Sequence, residues 1–112
     1  MGYRQDAKVF HAAMESAGVK PGSRDAERCV AMLDALSLKG GGNPADFVRS
    51  VAGPKGAKRS TGRVRREIVS NLQEMGLLPG CSYFVLWIVE RLLMRVLWKW
   101  IESVITETQQ AR

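Results

Sequence analysis

The sequence predicts an all-α protein, a compact bundle of about five helices whose last helix is long and very apolar. Through most of the chain, apolar residues recur three or four positions apart, which is the spacing of one helical face. Glycine or proline punctuates the ends of these stripes, and no segment alternates apolar and polar residues as a half-buried strand does. With 112 residues, 46% of them hydrophobic, we expect a single domain whose core dimerisation could complete.

The predicted helices follow from these stripes and from the residues that begin and end them. Gly18 stops the first helix as a left-handed cap, and Ser23 caps the second. Pro44 suits the first turn of the third helix, and Gly76 closes the fourth. Between the third and fourth helices, residues 53–61 are predicted to form a flexible basic loop. The predicted helices cover residues 3–17, 24–38, 44–52, 62–76 and 82–107.

The positive charge of the chain is concentrated in one short segment. The net charge is +6, and residues 1–54 contribute +1 while residues 67–112 contribute −1. The twelve residues from Lys55 to Arg66 therefore carry all of it, because they hold six basic residues and no acidic one. Charge of one sign that is localised in this way indicates an anionic partner. The basic residues of this segment are Lys55, Lys58, Arg59, Arg63, Arg65 and Arg66.

Three of these cations lie at a helix N-terminus, where acidic side chains are the more favourable ones. Arg63, Arg65 and Arg66 lie in the first turn of the predicted fourth helix, whose N-terminal end carries partial positive charge. An anion held among the arginines and the free backbone N–H groups would explain this placement. No base-reading motif accompanies the segment, so we expect backbone recognition, with RNA favoured over DNA and double-stranded RNA a reasonable target. An anionic lipid surface or a solvated loop without a ligand are the alternatives.

The last predicted helix allows three interpretations. It is the central helix of the core, or it carries a self-association seam, or it lies in a membrane interface. A single membrane span is the weakest case because cations would lie at spanning depth. A stripe of Arg91, Arg95 and Lys99 along this helix could assist in binding nucleic acid. The candidate oligomer interface follows a heptad-like spacing and consists of Leu86, Val89, Leu93, Val96 and Trp100.

The residues of catalytic and metal sites are sparse in this sequence. His11 is the only histidine and has no partner at a spacing suited to a metal or an acid–base pair. Cys29 lies on an apolar helical face and reads as a core residue, whereas Cys81 is expected to be more exposed. We therefore expect no enzymatic activity, no cofactor and no metal. Two distant cysteines and an N-terminus without a hydrophobic export core predict a cytoplasmic protein with reduced thiols.

Together these features predict a non-enzymatic nucleic-acid-binding protein that forms a homodimer. In its texture, a compact helical chain with a basic segment and one apolar helix, the sequence resembles small viral or phage accessory proteins. Two alternatives stay open. One is a membrane-associated protein that lies on, or forms a pore in, an anionic bilayer through its amphipathic last helix. The other is a structural or scaffold protein that docks on another chain through that helix.

Overall fold

The computed structural model describes residues 3–53 and 60–110, and the all-α prediction is confirmed for this part of the chain. Its helices pack into one globule measuring 38 × 29 × 23 Å, without a strand in the described residues. The helices are α1 (Tyr3–Ser16), α2 (Arg24–Lys39), α3 (Pro44–Ala52), α4 (Thr61–Glu74), α5 (Tyr83–Val89) and α6 (Arg91–Gln110).

Serine caps begin three of the helices. The side chains of Ser23, Ser60 and Ser82 accept hydrogen bonds from backbone N–H groups in the first turns of α2, α4 and α5. Each bond satisfies a donor that has no partner within the helix itself. At the other end of a helix, Gly18 and Gly76 adopt φ values of 82° and 78°. Side chains with a Cβ rarely tolerate these angles, so glycine ends α1 and α4 as predicted.

The prediction of a single long C-terminal helix over residues 82–107 is wrong. The helix is interrupted at Glu90, which separates α5 from α6. Glu90 has φ −126° and ψ 42°, outside the helical region. Its carboxylate accepts two hydrogen bonds from the guanidinium of Arg28 on α2, at 2.7 and 2.8 Å. This bidentate pair joins the break to a residue 62 positions earlier in the chain. The spacing of apolar residues along a helix carries no information about a contact this distant in sequence, so the break was not predicted.

Helix α6 is the central helix of the core. It contacts all five other helices, and its inward face is completely covered by them. Of the candidate oligomer interface, Leu86, Leu93, Val96 and Trp100 are buried in this core, and only Val89 is exposed. The four buried residues therefore do not offer a surface to a second copy, and the core-helix interpretation replaces the seam. Dimerisation through some other surface stays a prediction.

The two cysteines differ in burial and should differ in reactivity. Cys29 is completely buried on α2, and this burial raises the pKa of its thiol to about 11. Its reactive thiolate is then about a hundredfold scarcer than that of an ordinary thiol at the same pH. Cys81 is partly exposed in the turn before α5. Both thiols are free, and reduced cysteines in a cytoplasmic protein stay a prediction.

We expect a maleimide reagent to label Cys81 of the folded protein and to leave Cys29 unmodified at pH 8. Cys29 should react only as fast as the protein opens, because the reagent cannot reach a buried thiol. Mass spectrometry of peptides taken over a labelling time course measures both rates. Urea-unfolded protein is the control, in which both thiols should react at similar rates. Similar rates in the folded protein would contradict the burial of Cys29.

Candidate nucleic-acid interface

The basic segment enters the described structure only at its C-terminal half. Lys55, Lys58 and Arg59 lie outside the described residues, so their predicted contact with nucleic acid stays a prediction. The remaining three arginines lie at the start of α4, as the sequence predicted. Helix α4 has no acidic residue in its first turn. Its N-cap, Ser60, accepts a hydrogen bond of 3.2 Å from the backbone N–H of Arg63.

Arg63 and Arg66 are exposed on the first turns of α4. They are three positions apart and therefore lie on the same side of the helix. Neither side chain forms an ion pair with another residue that the structure describes. Two guanidinium groups beside the positive end of a helix form a surface at which phosphate oxygens would be stabilised.

Arg65 is placed differently and leaves the predicted binding set. It is buried between α4 and α6, where its Nη2 donates a hydrogen bond of 2.8 Å to Oε2 of Glu102. The carbon at the centre of its guanidinium lies 3.6 Å from the ring centroid of Trp98. Burial lowers the pKa of Arg65, and the carboxylate of Glu102 opposes that change. The charge of Arg65 is thus neutralised within the protein, and its side chain is not available to an external phosphate.

A cluster of aromatic side chains, which was not predicted, lies beside the start of α4. The rings of Tyr83 and Trp98 are 5.9 Å apart, and those of Trp87 and Trp98 are 5.1 Å apart in an edge-to-face arrangement. Arg66 lies over the ring of Tyr83, at 5.5 Å from its centroid. No aromatic residue occurs within the basic segment, so this proximity arises only from the packing of α4, α5 and α6. The position of Trp87 and Trp98 beside the charged stripe was its only signal in the sequence.

The three cations of the α6 stripe are all exposed, but they have different neighbours. Arg95 and Lys99 line a shallow hollow of about 260 Å³ together with Trp87 and Trp98, and Glu102 is also part of its wall. Lys99 donates a hydrogen bond of 2.6 Å from Nζ to Oγ of Ser16 on α1. These two cations therefore extend the positive surface from the aromatic cluster along α6.

Arg91 lies at the other end of the stripe, beside the break between α5 and α6. It borders a second hollow with the apolar side chains of Ile88 and Val89 and with Asp25 of α2. The structure thus divides the nine predicted cations into groups. Arg66, Arg95 and Lys99 lie beside the aromatic cluster, and Arg63 lies on the same side of α4 as Arg66. Arg91 flanks α5, Arg65 is internal, and three residues lie outside the described ranges.

The described residues contain no group of three or more His, Cys, Asp or Glu side chains that could hold a metal ion. His11 is exposed on α1. None of the helices in the described ranges is long and apolar enough to cross a membrane. The chemical character of this surface is therefore that of cations and aromatic rings at the start of α4 and along α6.

Comparisons with protein-family models, with curated proteins and with solved structures found no match to this chain.

Proposed function

We propose that the protein is a non-enzymatic nucleic-acid-binding protein that recognises the phosphate backbone through the first turns of α4. The observation that carries this proposal is the exposure of Arg63 and Arg66 at a helix N-terminus that has no acidic residue. Cations at this position are unfavourable by a few tenths of a kcal/mol each, roughly, when no anion is bound. A phosphate bound between the two guanidinium groups would convert this cost into charge-assisted hydrogen bonds.

Arg95 and Lys99 support the same proposal because they continue the positive surface. They lie on α6 at the edge of the aromatic cluster, and both are exposed. The sequence carries no base-reading motif, and so we expect backbone contacts to dominate the affinity. RNA is the target we favour, with recognition by shape and backbone. Such binding weakens steeply with added salt because bound phosphates release their counterions.

The experiment is a fluorescence-anisotropy titration of single- and double-stranded RNA and DNA at several salt concentrations. We expect the double variant Arg63→Ala/Arg66→Ala to bind RNA more weakly than the wild type at every salt concentration. The slope of log K against log salt should fall by about 1.4–1.8, the value for two lost phosphate contacts. The matched control is Lys8→Ala/Lys20→Ala, which removes two exposed cations from α1 and the following turn.

The control separates a defined site from a general attraction between a positive protein and a polyanion. If both double variants lose affinity and slope equally, the charge acts without a site and the proposal fails. If the wild type binds none of the four nucleic acids at low salt, the proposal fails outright. Circular dichroism of each variant, compared with that of the wild type, shows that the fold is unchanged.

A further inference from the structure

Helix α5 presents an apolar face to solvent. All seven of its residues are apolar or aromatic, yet only Leu86 is completely buried. Phe84, Ile88 and Val89 are 75%, 66% and 57% exposed, and Val85 is 37% exposed. These four positions fall on one side of a helix, because residues four apart are neighbours on its surface. A contiguous exposed patch of large apolar side chains marks an interaction surface more often than a chance arrangement.

The inward side of α5 fixes this face in place. Tyr83 and Trp87 pack against Trp98 of α6, and Leu86 enters the core. At the end of α5, the two hydrogen bonds between Glu90 and Arg28 hold the break that sets the direction of the helix. The apolar face is therefore formed before any partner arrives, and binding would need little ordering of the chain.

Exposed arginines lie on both sides of α5. Arg91 borders the apolar face itself, beside Ile88 and Val89. Arg66 and Arg95 lie next to Tyr83 and Trp87, on the side of α5 that faces α6. The acidic Glu90 is engaged by Arg28, while Asp25 contributes one negative charge at the edge near Ile88. The surroundings of the apolar face are thus positive on balance, which is complementary to a partner that is both apolar and anionic.

A second copy of the chain fits this surface poorly. A helix of seven residues is about 10 Å long and would offer four apolar side chains per protomer. Stable interfaces bury about 800 Å² per partner, well above what so short a helix supplies. Two copies would also bring their arginines together, in a chain whose net charge is already +6. A partner that is extended and negatively charged fits this face better.

We propose that the outer face of α5 inserts into the interfacial region of an anionic lipid bilayer. Phe84, Ile88 and Val89 would enter the boundary between headgroups and acyl chains, as the apolar faces of interfacial helices do. Arg91, beside the inserted side chains, would reach the headgroup phosphates directly, and the long side chains of Arg66 and Arg95 would reach them from the flank of α5. The proposal assigns membrane contact to α5 alone and not to the whole of the last helix predicted from the sequence. It does not depend on the nucleic-acid site at Arg63.

Vesicle sedimentation tests this proposal on the full chain. The probes are vesicles of phosphatidylcholine alone and of phosphatidylcholine mixed with phosphatidylserine. We expect the wild type to bind the mixed vesicles and to bind the neutral ones much more weakly. Phe84→Ser/Ile88→Ser should lower partitioning by at least about a hundredfold, because two large apolar side chains no longer enter the lipid. Arg91→Ala/Arg95→Ala should lower binding to the mixed vesicles by roughly thirtyfold.

Leu38 provides the matched control, since it is a large apolar residue that is 80% exposed at the end of α2. Leu38→Ser should partition like the wild type. Wild-type protein that stays in the supernatant with both vesicle types overturns the proposal. Equal loss for Leu38→Ser and Phe84→Ser/Ile88→Ser overturns it as well, because binding would then not be specific to α5. So does a concentration-dependent dimer that Phe84→Ser/Ile88→Ser dissolves while vesicles are ignored, since the occupant would be a second copy. Nucleic-acid affinity, measured on Phe84→Ser/Ile88→Ser and Leu38→Ser, reports separately on the function proposed for α4, because neither variant removes a cation.

Discussion

Replacing Trp100 by alanine is expected to lower the free energy of unfolding by about 3–5 kcal/mol, the range for large aromatic residues in a core. Trp100 is completely buried at the centre of α6. Its ring meets that of Phe10 on α1 edge-to-face, with centroids 5.5 Å apart and an interplanar angle of 69°. Alanine removes this contact and leaves a cavity that the surrounding helices cannot fill without moving. Urea denaturation followed by circular dichroism gives the change.

Trp100→Phe is the matched variant for this position. It keeps a ring against Phe10 and removes the indole N–H, which is buried without a hydrogen-bond partner in the described part of the chain. Loss of an unsatisfied donor offsets part of the lost volume, so we expect this variant to cost well under half of what alanine costs. The seam interpretation of the last helix predicts the opposite pattern. Alanine would then weaken self-association and leave the stability of the monomer almost unchanged.

The first four helices were predictable because their signals are local. Apolar stripes, serine caps and glycine ends all act within a few residues, and the predicted bounds agree with α1 to α4 within one or two positions. The break at Glu90 could not be predicted in this way. It coincides with the contact between Glu90 and Arg28, and no residue near Glu90 in the sequence indicates that Arg28 is its partner. Without the break, the apolar residues 83–105 appear as one continuous amphipathic surface.

The candidate site divides in the same manner. Its predicted location at the start of α4 follows from charge and capping alone, and in the structure Arg63 and Arg66 are exposed on the first turns of that helix. The separate fate of Arg65 was within reach of periodicity, because Arg65, Val69 and Leu72 are spaced by four and three residues and share one face. The prediction for Arg65 was wrong because the three arginines share the first turn of α4, and their different faces were not considered. The position of Trp87 and Trp98 beside the charged stripe does not indicate that the aromatic cluster meets α4, since Trp98 is 33 positions beyond Arg65 and joins it only through the packing of α4 on α6.

The pair of Arg65 and Glu102 should respond very differently to the loss of each partner. The side chain of Arg65 is only 10% exposed, whereas that of Glu102 is 65% exposed. Glu102→Ala leaves a buried guanidinium with the ring face of Trp98 as its remaining close partner for charge. We expect this variant to lose about 1–3 kcal/mol of stability, the cost of a buried polar group that has lost its hydrogen bond. Thermal or urea unfolding measures the loss.

Arg65→Met removes the buried charge itself and returns Glu102 to water, where a carboxylate is well solvated. The methionine fills much of the same space against Trp98, so we expect a loss of about 1 kcal/mol or less. The same variant separates the structural arginine from the proposed binding ones. Arg65→Met should keep the salt slope of RNA binding, whereas Arg63→Ala/Arg66→Ala should reduce it. A reduction of equal size in both would show that Arg65 reaches the phosphate, which requires α4 to separate from Glu102 when nucleic acid binds.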